Sequence, residues 1–449
     1  MSFTGLAVAA IVALALWRTR LDLPALLVVV MLTGIWRATI WQAQRHQLTS
    51  LIGQSVTLQG AVADDPSVGD KRQVTFKLGD LRLVDPDTDR TIQRLPDTIT
   101  VYSYPMQLQR EYRLQVSGKV KAGFGTAAAS ISYPKITPLS RQQSWLEQTR
   151  QRFFAGMRTA LPEPISSFGL GLLVGIRALI PKTMQAELAL VGLSHLVAVS
   201  GYNLTILVRA VERGVGRWGK GIALITSLWL IGGFLLVTGA SASIVRASLV
   251  SVLSLLATFY GRKFNPLVLI LVTAALTAAW DPVYLTDLGW LLSYLAFYGV
   301  LMLSPAIEAR LGHPKLLVVR LFIESTAAQI MTLPLILFMF GDLSIVAPIT
   351  NLIILPLVPL AMAVSFLAGV AGIIMPAFAG WLAWPAMLVL GFIVKLIDAF
   401  AALPWAGTQA TLSLPAMLAA YAVIIALNIA FIISNHRLNT SNQPGPRLT

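Results

Sequence analysis

Long uncharged hydrophobic runs, separated by short polar segments, make up most of this chain. Residues 221–245 and 343–394 each exceed the roughly 18 residues that a membrane-spanning helix needs, and the second run is long enough for two crossings. Two more hydrophobic segments open the chain, at about residues 3–17 and 23–40. Together these runs predict a polytopic α-helical membrane protein with about ten crossings.

Between residues 45 and 141 the pattern changes to the alternation of half-buried β-strands. Apolar and polar residues alternate in four short runs, at 55–62, 74–78, 99–102 and 114–116. Asp-Pro and Gly-Asp steps, Gly79–Asp80 among them, predict turns. About five short strands in such a segment predict a small inserted β domain, with an OB-like barrel as the expected fold.

Residues 142–163 follow with the spacing of an amphipathic helix. Leu146, Phe153 and Met157 share one face of this helix, and Arg150 interrupts that face. Two interpretations stay open, a helix at the membrane interface and a soluble connector helix.

Charges in the loops predict the orientation of the chain. Basic loops at 209–220, 262–263 and 310–320 alternate with neutral or acidic turns. The positive-inside rule places these loops and the C-terminus in the cytoplasm and the β domain outside. The basic loops all lie on the cytoplasmic side only if exactly one of the segments 165–180 and 188–208 crosses the membrane fully. We assign the crossing to 188–208 and expect 165–180 to be re-entrant or interfacial.

Composition agrees with the membrane class, since 56% of the residues are hydrophobic and 12% are charged, against about 25% charged in soluble domains. The absence of cysteine excludes disulfides, thiolate metal sites and thiol catalysis. The formal net charge of +14 has two explanations. It reflects either the positive-inside bias of an inner-membrane protein or attraction to a polyanion such as DNA, and charge alone leaves both open.

Residues 192–208 carry polar side chains inside an otherwise apolar segment, and a Ser-Gly step lies at their centre. Polar groups in lipid must find partners within the protein or line a cavity, and a glycine lets the backbone open or another helix approach. The segment therefore predicts a polar path through a helix bundle, with a small-residue helix interface as the alternative. Neither a GxSxG motif nor clustered metal ligands accompany it, which argues against hydrolysis and metal binding.

Four motifs in order along the chain resemble the ComEC competence family. They are the segment 192–208, the Ser/Arg-Ala helix start at 243–247, the Asp-Pro…Gly…Leu-Ser series at 281–299, and the block 329–359 with its Gln, Asn and Pro residues. The resemblance departs at Ser200-Gly201-Tyr202-Asn203, where family members often read Ser-Gly-Leu-His, and this argues against a proton or metal role there. Many members also continue into a metallo-β-lactamase-like nuclease domain. Only residues 432–449 follow Phe431, so we expect neither that domain, nor a metal or other cofactor, nor enzymatic activity.

The resemblance implies a channel for single-stranded DNA in the bacterial inner membrane, used during natural transformation. It divides the chain into an N-terminal transmembrane pair (1–44), an extracytoplasmic β domain (45–141), an amphipathic interfacial helix (142–163), a transmembrane channel domain (164–434) and a cytoplasmic tail (435–449). No Gly-x-x-x-x-Gly-Lys motif is present. The implied partners are therefore single-stranded DNA, membrane lipid, an outer DNA receptor, a cytoplasmic motor and a separate nuclease, with the oligomeric state left open.

Two groups of residues are candidates for contact with DNA. The residues expected to line the DNA path are Ser194, His195, Ser200, Gly201, Tyr202, Asn203, Arg246, Ser293, Tyr294, Gln329 and Asn351. The basic residues expected to contact DNA in the β domain are Lys71, Arg72, Lys77, Arg82, Lys119 and Lys121. Two other functions remain in view, a small-solute secondary transporter, which predicts inverted repeats, and a membrane-embedded enzyme, which needs a convergent acid/base set. The sequence displays neither feature.

Overall fold

The computed structural model of the chain describes residues 36, 39, 47–68, 73–85, 88, 90–95, 97–123, 127–197, 201–238, 242–262, 266–312 and 314–441. Within these ranges the side chains of residues 201–203, 205, 206, 210, 242, 317, 429 and 431–441 are not described. The predicted N-terminal helix pair therefore lies almost entirely outside the described residues.

Residues 55–140 form a small β-barrel. Its strands are β1 (Ser55–Val62), β2 (Ser67–Val68), β3 (Val74–Val84), β4 (Thr91–Leu95), β5 (Ile99–Ser103), β6 (Arg113–Ala122), β7 (Ala129–Ser132) and β8 (Lys135–Ser140). Five of them pair in the order β1–β3–β5–β7–β6, and β6 pairs back onto β1 to close the barrel. Neighbours are antiparallel except β5 and β7, which run parallel. This five-stranded barrel confirms the predicted OB-like domain.

Alternation of side chains explains the barrel. Phe76, Leu78, Ile99, Val101 and Ile131 point inward and are almost fully buried in one core, while the residues between them face outward. A closed barrel also leaves no long unpaired strand edge in its wall.

The predicted turn at Gly79–Asp80 is wrong, because both residues lie inside β3. The pairing of β1 with β3 changes register between Gln59 and Ala61, and Asp80 has a φ of 49°. An extra residue in one strand of a pair forms a β-bulge, which bends the strand without ending it. The Gly-Asp step therefore curves the barrel wall.

Helices dominate the rest of the described chain. They are α1 (Trp145–Ala160), α2 (Ile165–Val174), α3 (Lys182–Leu190), α4 (Ser194–Val197), α5 (Gly201–Val215), α6 (Lys220–Thr238), α7 (Ala242–Phe259), α8 (Pro266–Trp280), α9 (Leu288–Tyr298), α10 (Ser304–Arg310), α11 (Leu317–Met339), α12 (Ala347–Ile354), α13 (Val358–Ile374), α14 (Ala379–Leu382), α15 (Trp384–Ala401) and α16 (Leu414–Ser441). Strands β9 (Asp342–Ser344) and β10 (Gly407–Gln409) form a separate two-stranded sheet.

Five helical segments are long and apolar enough to cross a membrane. They are Lys220–Thr238, Leu288–Arg310, Val318–Met339, Ala347–Ile374 and Trp384–Ala401. Shorter apolar helices are Ile165–Val174, Ser243–Phe259, Pro266–Trp280 and Leu414–Asn428. Length and composition thus identify a helical membrane protein. The number of ten crossings and the orientation of the chain stay predictions.

Residues 188–208 form a broken helix, as their polar residues and glycines predict, and whether this segment crosses the membrane stays a prediction. Helix α3 ends at Leu190, the short α4 follows, and α5 begins at Gly201 and continues past the predicted end of the segment to Val215. Gly192 between α3 and α4 has a φ of 75°, which favours glycine.

Helix α1 lies along α13 and joins the barrel to the bundle. The two backbones approach closely, because a Cβ on Gly372 would overlap the carbonyl oxygen of Gly156. The rings of Phe153 and Phe366 stack beside this crossing, with their centroids 6.0 Å apart. Whether α1 also lies at the membrane interface stays a prediction.

Arg150, which interrupts the apolar face of α1, is buried where the barrel meets this helix. It donates to both carboxylate oxygens of Glu147, at 3.1 and 3.0 Å, and also to Asp65 of the barrel. Glu111 of the barrel holds Ser144, the N-cap residue of α1, by accepting from its backbone N–H (2.6 Å) and its hydroxyl (2.9 Å). The barrel is thus attached to α1 by charged hydrogen bonds at two places.

The segment from α9 to α10 contains a π-helical turn at Gly299–Leu303. Gly299 lies against the backbone of α11, since a Cβ there would come within 2.5 Å of the carbonyl oxygen of Ala327. The absence of a side chain lets the two helices approach closely at this turn.

Candidate functional site

A polar cluster lies between α7, α8 and α9, three apolar helices of the bundle. Arg246 of α7 is only 7% exposed, and its Nε donates to the hydroxyl of Ser293 on α9 at 2.6 Å. The hydroxyl of Ser243, one turn before Arg246, lies 3.3 Å from the same Ser293 oxygen. The structure therefore brings Ser293 of α9 against two residues of α7 that lie 50 and 47 positions earlier in the sequence.

Aromatic rings enclose the guanidinium of Arg246. The centroids of the Tyr294 and Phe297 rings lie 5.6 and 5.1 Å from its central carbon, within the range of a cation–π interaction. The Tyr294 hydroxyl is held in place by Thr277 on α8, at 3.2 Å, and Thr277 also accepts a hydrogen bond of 2.9 Å from the indole N–H of Trp290. Hydrogen bonding through Thr277 therefore fixes the position of the Tyr294 ring beside the cation.

The Arg246 guanidinium has no acidic partner, because no described carboxylate lies within 4 Å of it. Among the described residues, its two terminal nitrogens form no hydrogen bond either. Arg246 lies near the start of α7, and a buried cation is normally paired. The cluster can thus hold an anionic group, and a guanidinium fork suits the geometry of a phosphate.

The interruption of the helix between α3 and α4 packs against α12. Position 192 has no space for a side chain, since a Cβ there would overlap the side chain of Ala347. One turn later on α12, the hydroxyl of Thr350 donates to the carbonyl of Val191 at 2.8 Å. Bonds to a neighbouring helix are how a broken membrane helix satisfies its free backbone groups.

Ser194 and His195 form the first turn of α4. Ser194 is half-buried, and its carbonyl accepts a hydrogen bond of 3.2 Å from Arg177. His195 is exposed, although the neighbouring Leu193 and Leu196 are buried. The imidazole also interacts with the backbone of Gly192, so His195 belongs to the break between α3 and α4.

Gln329 on α11 and Asn351 on α12 are not joined to the Arg246 cluster by any hydrogen bond of the described residues. Each has a buried side-chain oxygen without a hydrogen-bond partner in the described chain. Such unsatisfied groups are uncommon in folded proteins, and an ordered water or an ion is one way to satisfy them. The predicted path residues therefore fall into separate places along the bundle.

Several candidate residues cannot be located in this way. Ser200, Lys71 and Arg72 lie outside the described residues, and for Gly201, Tyr202 and Asn203 only the backbone at the start of α5 is described. Their predicted roles stay predictions.

Two of the predicted basic residues lie in one row across the outside of the barrel. Lys77 on β3 pairs with Thr100 on β5, Thr100 with Ser130 on β7, and Ser130 with Lys121 on β6. Both lysines are exposed, and Lys119 lies two residues from Lys121 on the same outward face. Arg82 lies elsewhere, beside Asp80 at 3.7 Å, so part of its charge is compensated.

An exposed pair of tyrosines on this barrel was not predicted from the sequence. Tyr104 follows β5 and Tyr133 follows β7; they are 68% and 47% exposed, with ring centroids 4.9 Å apart. Tyr133 has a φ of 52°, a backbone region that a bulky residue rarely adopts. The sequence carries a signal for the pair, because the tripeptide Ser-Tyr-Pro occurs at both places.

Comparison with known proteins agrees with the motifs. The Competence protein family profile matches residues 172–435, more than half of the chain. ComE operon protein 3 of Bacillus subtilis (strain 168) is 24% identical over 226 residues, which cover 49% of this chain and 28% of that protein. The match therefore spans less than a third of that relative, and no solved structure matches the chain. The chain belongs to the competence protein family.

Proposed function

We propose that this chain is an inner-membrane channel that imports single-stranded DNA during natural transformation. Membership of the competence family and the helical membrane bundle support this function. The observation that carries it is the Arg246 cluster, a buried cation without a carboxylate partner among the described residues. A phosphate of a passing strand supplies the anion that the cluster lacks.

The barrel is suited to bind the incoming DNA strand before it enters the helical bundle. Its outer face offers Lys77 and Lys121 for phosphates and the Tyr104–Tyr133 pair for the faces of bases. Charged grooves combined with aromatic platforms are the usual means of binding single strands without sequence preference. In the orientation that the basic loops favour, this face lies outside the cell and the C-terminus lies in the cytoplasm.

Partner proteins would supply the energy for transport and select the strand that enters. An outer receptor delivers DNA, a cytoplasmic motor pulls the strand, and a separate nuclease degrades the complementary strand. Among the described residues, no group of three or more His, Cys, Asp or Glu side chains could hold a metal ion. The main competing function is secondary transport of a small anion, for which the Arg246 cluster would be the binding site.

Substitution of Arg246 tests the proposal. Losing a charged hydrogen bond of this kind costs about 1.5–3 kcal/mol, so we expect Arg246→Gln to lower DNA import about ten- to a hundredfold. Arg246→Lys keeps the charge without the fork, and we expect an intermediate rate. Arg217→Gln is the matched control, because Arg217 is exposed beside Trp218.

Import is measured as transformation frequency and as labelled DNA that resists external DNase, at equal amounts of protein in the membrane. In the Arg246→Gln strain, DNA should reach the cell surface but stay sensitive to DNase. Normal import by this variant at normal protein levels would show that Arg246 is a packing residue. A defect in the uptake of a small anion with normal DNA import would favour the transporter.

A further inference from the structure

An open pocket of about 540 Å³ lies where the barrel meets the helical bundle. Ser67 of β2 lines it on the barrel side, and Arg158, near the end of α1, lines it on another. The connection between α2 and α3 and the first turn of α3, from Arg177 to Gln185, form another wall. The volume falls in the range of small-ligand sites, about 300–1,000 Å³.

Cations dominate this pocket. Arg158, Arg177 and Lys182 line it, all three exposed, against one carboxylate, that of Glu163. Glu163 is already engaged, since its Oε2 accepts from both the hydroxyl and the backbone N–H of Ser167. No described carboxylate lies within 4 Å of Arg158 or Arg177. The pocket thus presents two guanidinium groups with unused donors.

Arg177 connects the pocket to the broken segment of the bundle. Its guanidinium donates to the carbonyl of Ser194 at 3.2 Å, at the start of α4. Gln185 fixes the same wall by donating to the carbonyls of Arg177 and Ile180, at 2.9 and 2.8 Å. An anion held by Arg177 would therefore lie next to α4 and between the two parts of the protein.

The geometry points to a phosphodiester-binding site in this pocket, with Arg158 and Arg177 as its ligands. Guanidinium groups bind phosphate oxygens through paired N–H donors. Two sources supply this chemistry at such a place, the backbone of a DNA strand passing from the barrel to the bundle and the headgroup of an anionic phospholipid. The first source rests on the proposed function, and the second does not.

The salt dependence of binding tests the site in the full-length protein. Each phosphate contact contributes about −0.7 to the slope of log K against log salt for single strands. With a fluorescent oligo(dT) and purified protein, we expect Arg177→Gln and Arg158→Gln each to reduce the slope by about 0.7. Arg152→Gln is the control, because Arg152 is exposed on the same helix but does not line the pocket.

Two further variants separate binding from structure. Arg177→Lys keeps the positive charge and should retain most of the salt slope. If Arg177 acted only by supporting Ser194, the Lys and Gln variants should give the same slope. Glu163→Gln removes the opposing carboxylate and should strengthen binding. Weaker binding on loss of Glu163 would contradict an anion site.

Lipid binding is measured in parallel, by mass spectrometry of phospholipid retained from nanodiscs of phosphatidylglycerol and phosphatidylcholine. Loss of phosphatidylglycerol from both arginine variants, with unchanged oligo(dT) slopes, would assign the site to a headgroup. Unchanged slopes and unchanged lipid retention would overturn the site. That result leaves DNA import through the Arg246 cluster intact, so the two proposals fail separately.

Discussion

Removing Arg150 should weaken the attachment of the barrel to α1, and the contacts of Glu111 with Ser144 should remain. Arg150→Met takes away one cation and leaves the carboxylates of Glu147 and Asp65 facing each other, with side chains 3% and 27% exposed. Breaking one side of a buried ion pair costs about 3–5 kcal/mol. Because Asp65 can still be hydrated, we expect the lower end of this range, about 3 kcal/mol. Loss of the contact with the Phe154 ring, 4.9 Å from the guanidinium, acts in the same direction.

Hydrogen exchange of the α1 amides measures this opening directly. A loss of about 3 kcal/mol corresponds to about a hundredfold faster exchange. The change should be confined to α1 and the barrel face that contacts it. Adding Glu147→Gln to Arg150→Met removes one uncompensated buried charge, so the double variant should recover about 1–3 kcal/mol. Unchanged protection of α1 in Arg150→Met, or a double variant worse than the sum of the singles, would refute this account of the junction.

Three more predictions concern other contacts. Tyr104→Leu should weaken oligo(dT) binding about five- to a hundredfold, as loss of base stacking does, and should make no difference to an abasic strand; equal losses on both strands would show a structural effect. Gly372→Ala should lower the thermal stability of the purified protein, because its Cβ would overlap the Gly156 carbonyl, whereas Gly233→Ala, with open space around it, should be tolerated. Burial raises the pKa of Asp64, so at pH values between the unfolded and the folded pKa the folded chain binds a proton that the unfolded chain releases. Its contribution to the free energy of unfolding should therefore fall as the pH rises from about 4 through the raised pKa, and the difference from Asp64→Asn, measured between pH 4 and 8, should grow over that range.

The sequence predicted the elements better than the contacts between them. Period-two alternation located β1, β3, β5 and β6, because inward and outward residues of a barrel strand differ in polarity. The Gly-Asp step in β3 misled the prediction, since the same residues favour turns and bulges, and only the partner strand decides between them. The break in 188–208 was detectable as polar residues beside glycine, but its packing on α12 was not.

The contacts that the sequence did not predict join residues that lie far apart along the chain. Arg150 looked like a flaw in an apolar face because its partner Asp65 lies 85 residues away, on another domain. The motifs marked Arg246 and Ser293 separately, while the hydrogen bond between them, across 47 residues, comes from the packing of α7 on α9. The two Ser-Tyr-Pro tripeptides gained meaning only when the parallel pairing of β5 and β7 placed them side by side.

The π-helical turn at Gly299–Leu303 changes which neighbours one long segment can face. Such a turn amounts to one residue inserted into an α-helix, and one residue rotates everything beyond it by about 100°. Before the turn, α9 directs Ser293 and Tyr294 at Arg246 on α7. Leu303, the last residue of the turn, packs with Ala327 and Met331 of α11, and Leu295 and Tyr298 before the turn contact the same cluster. The inserted residue therefore sets which face of α10, beyond the turn, meets α11 and α16. Deleting one residue from 299–303 should therefore misalign α10 against α11 and leave the Arg246 cluster in place.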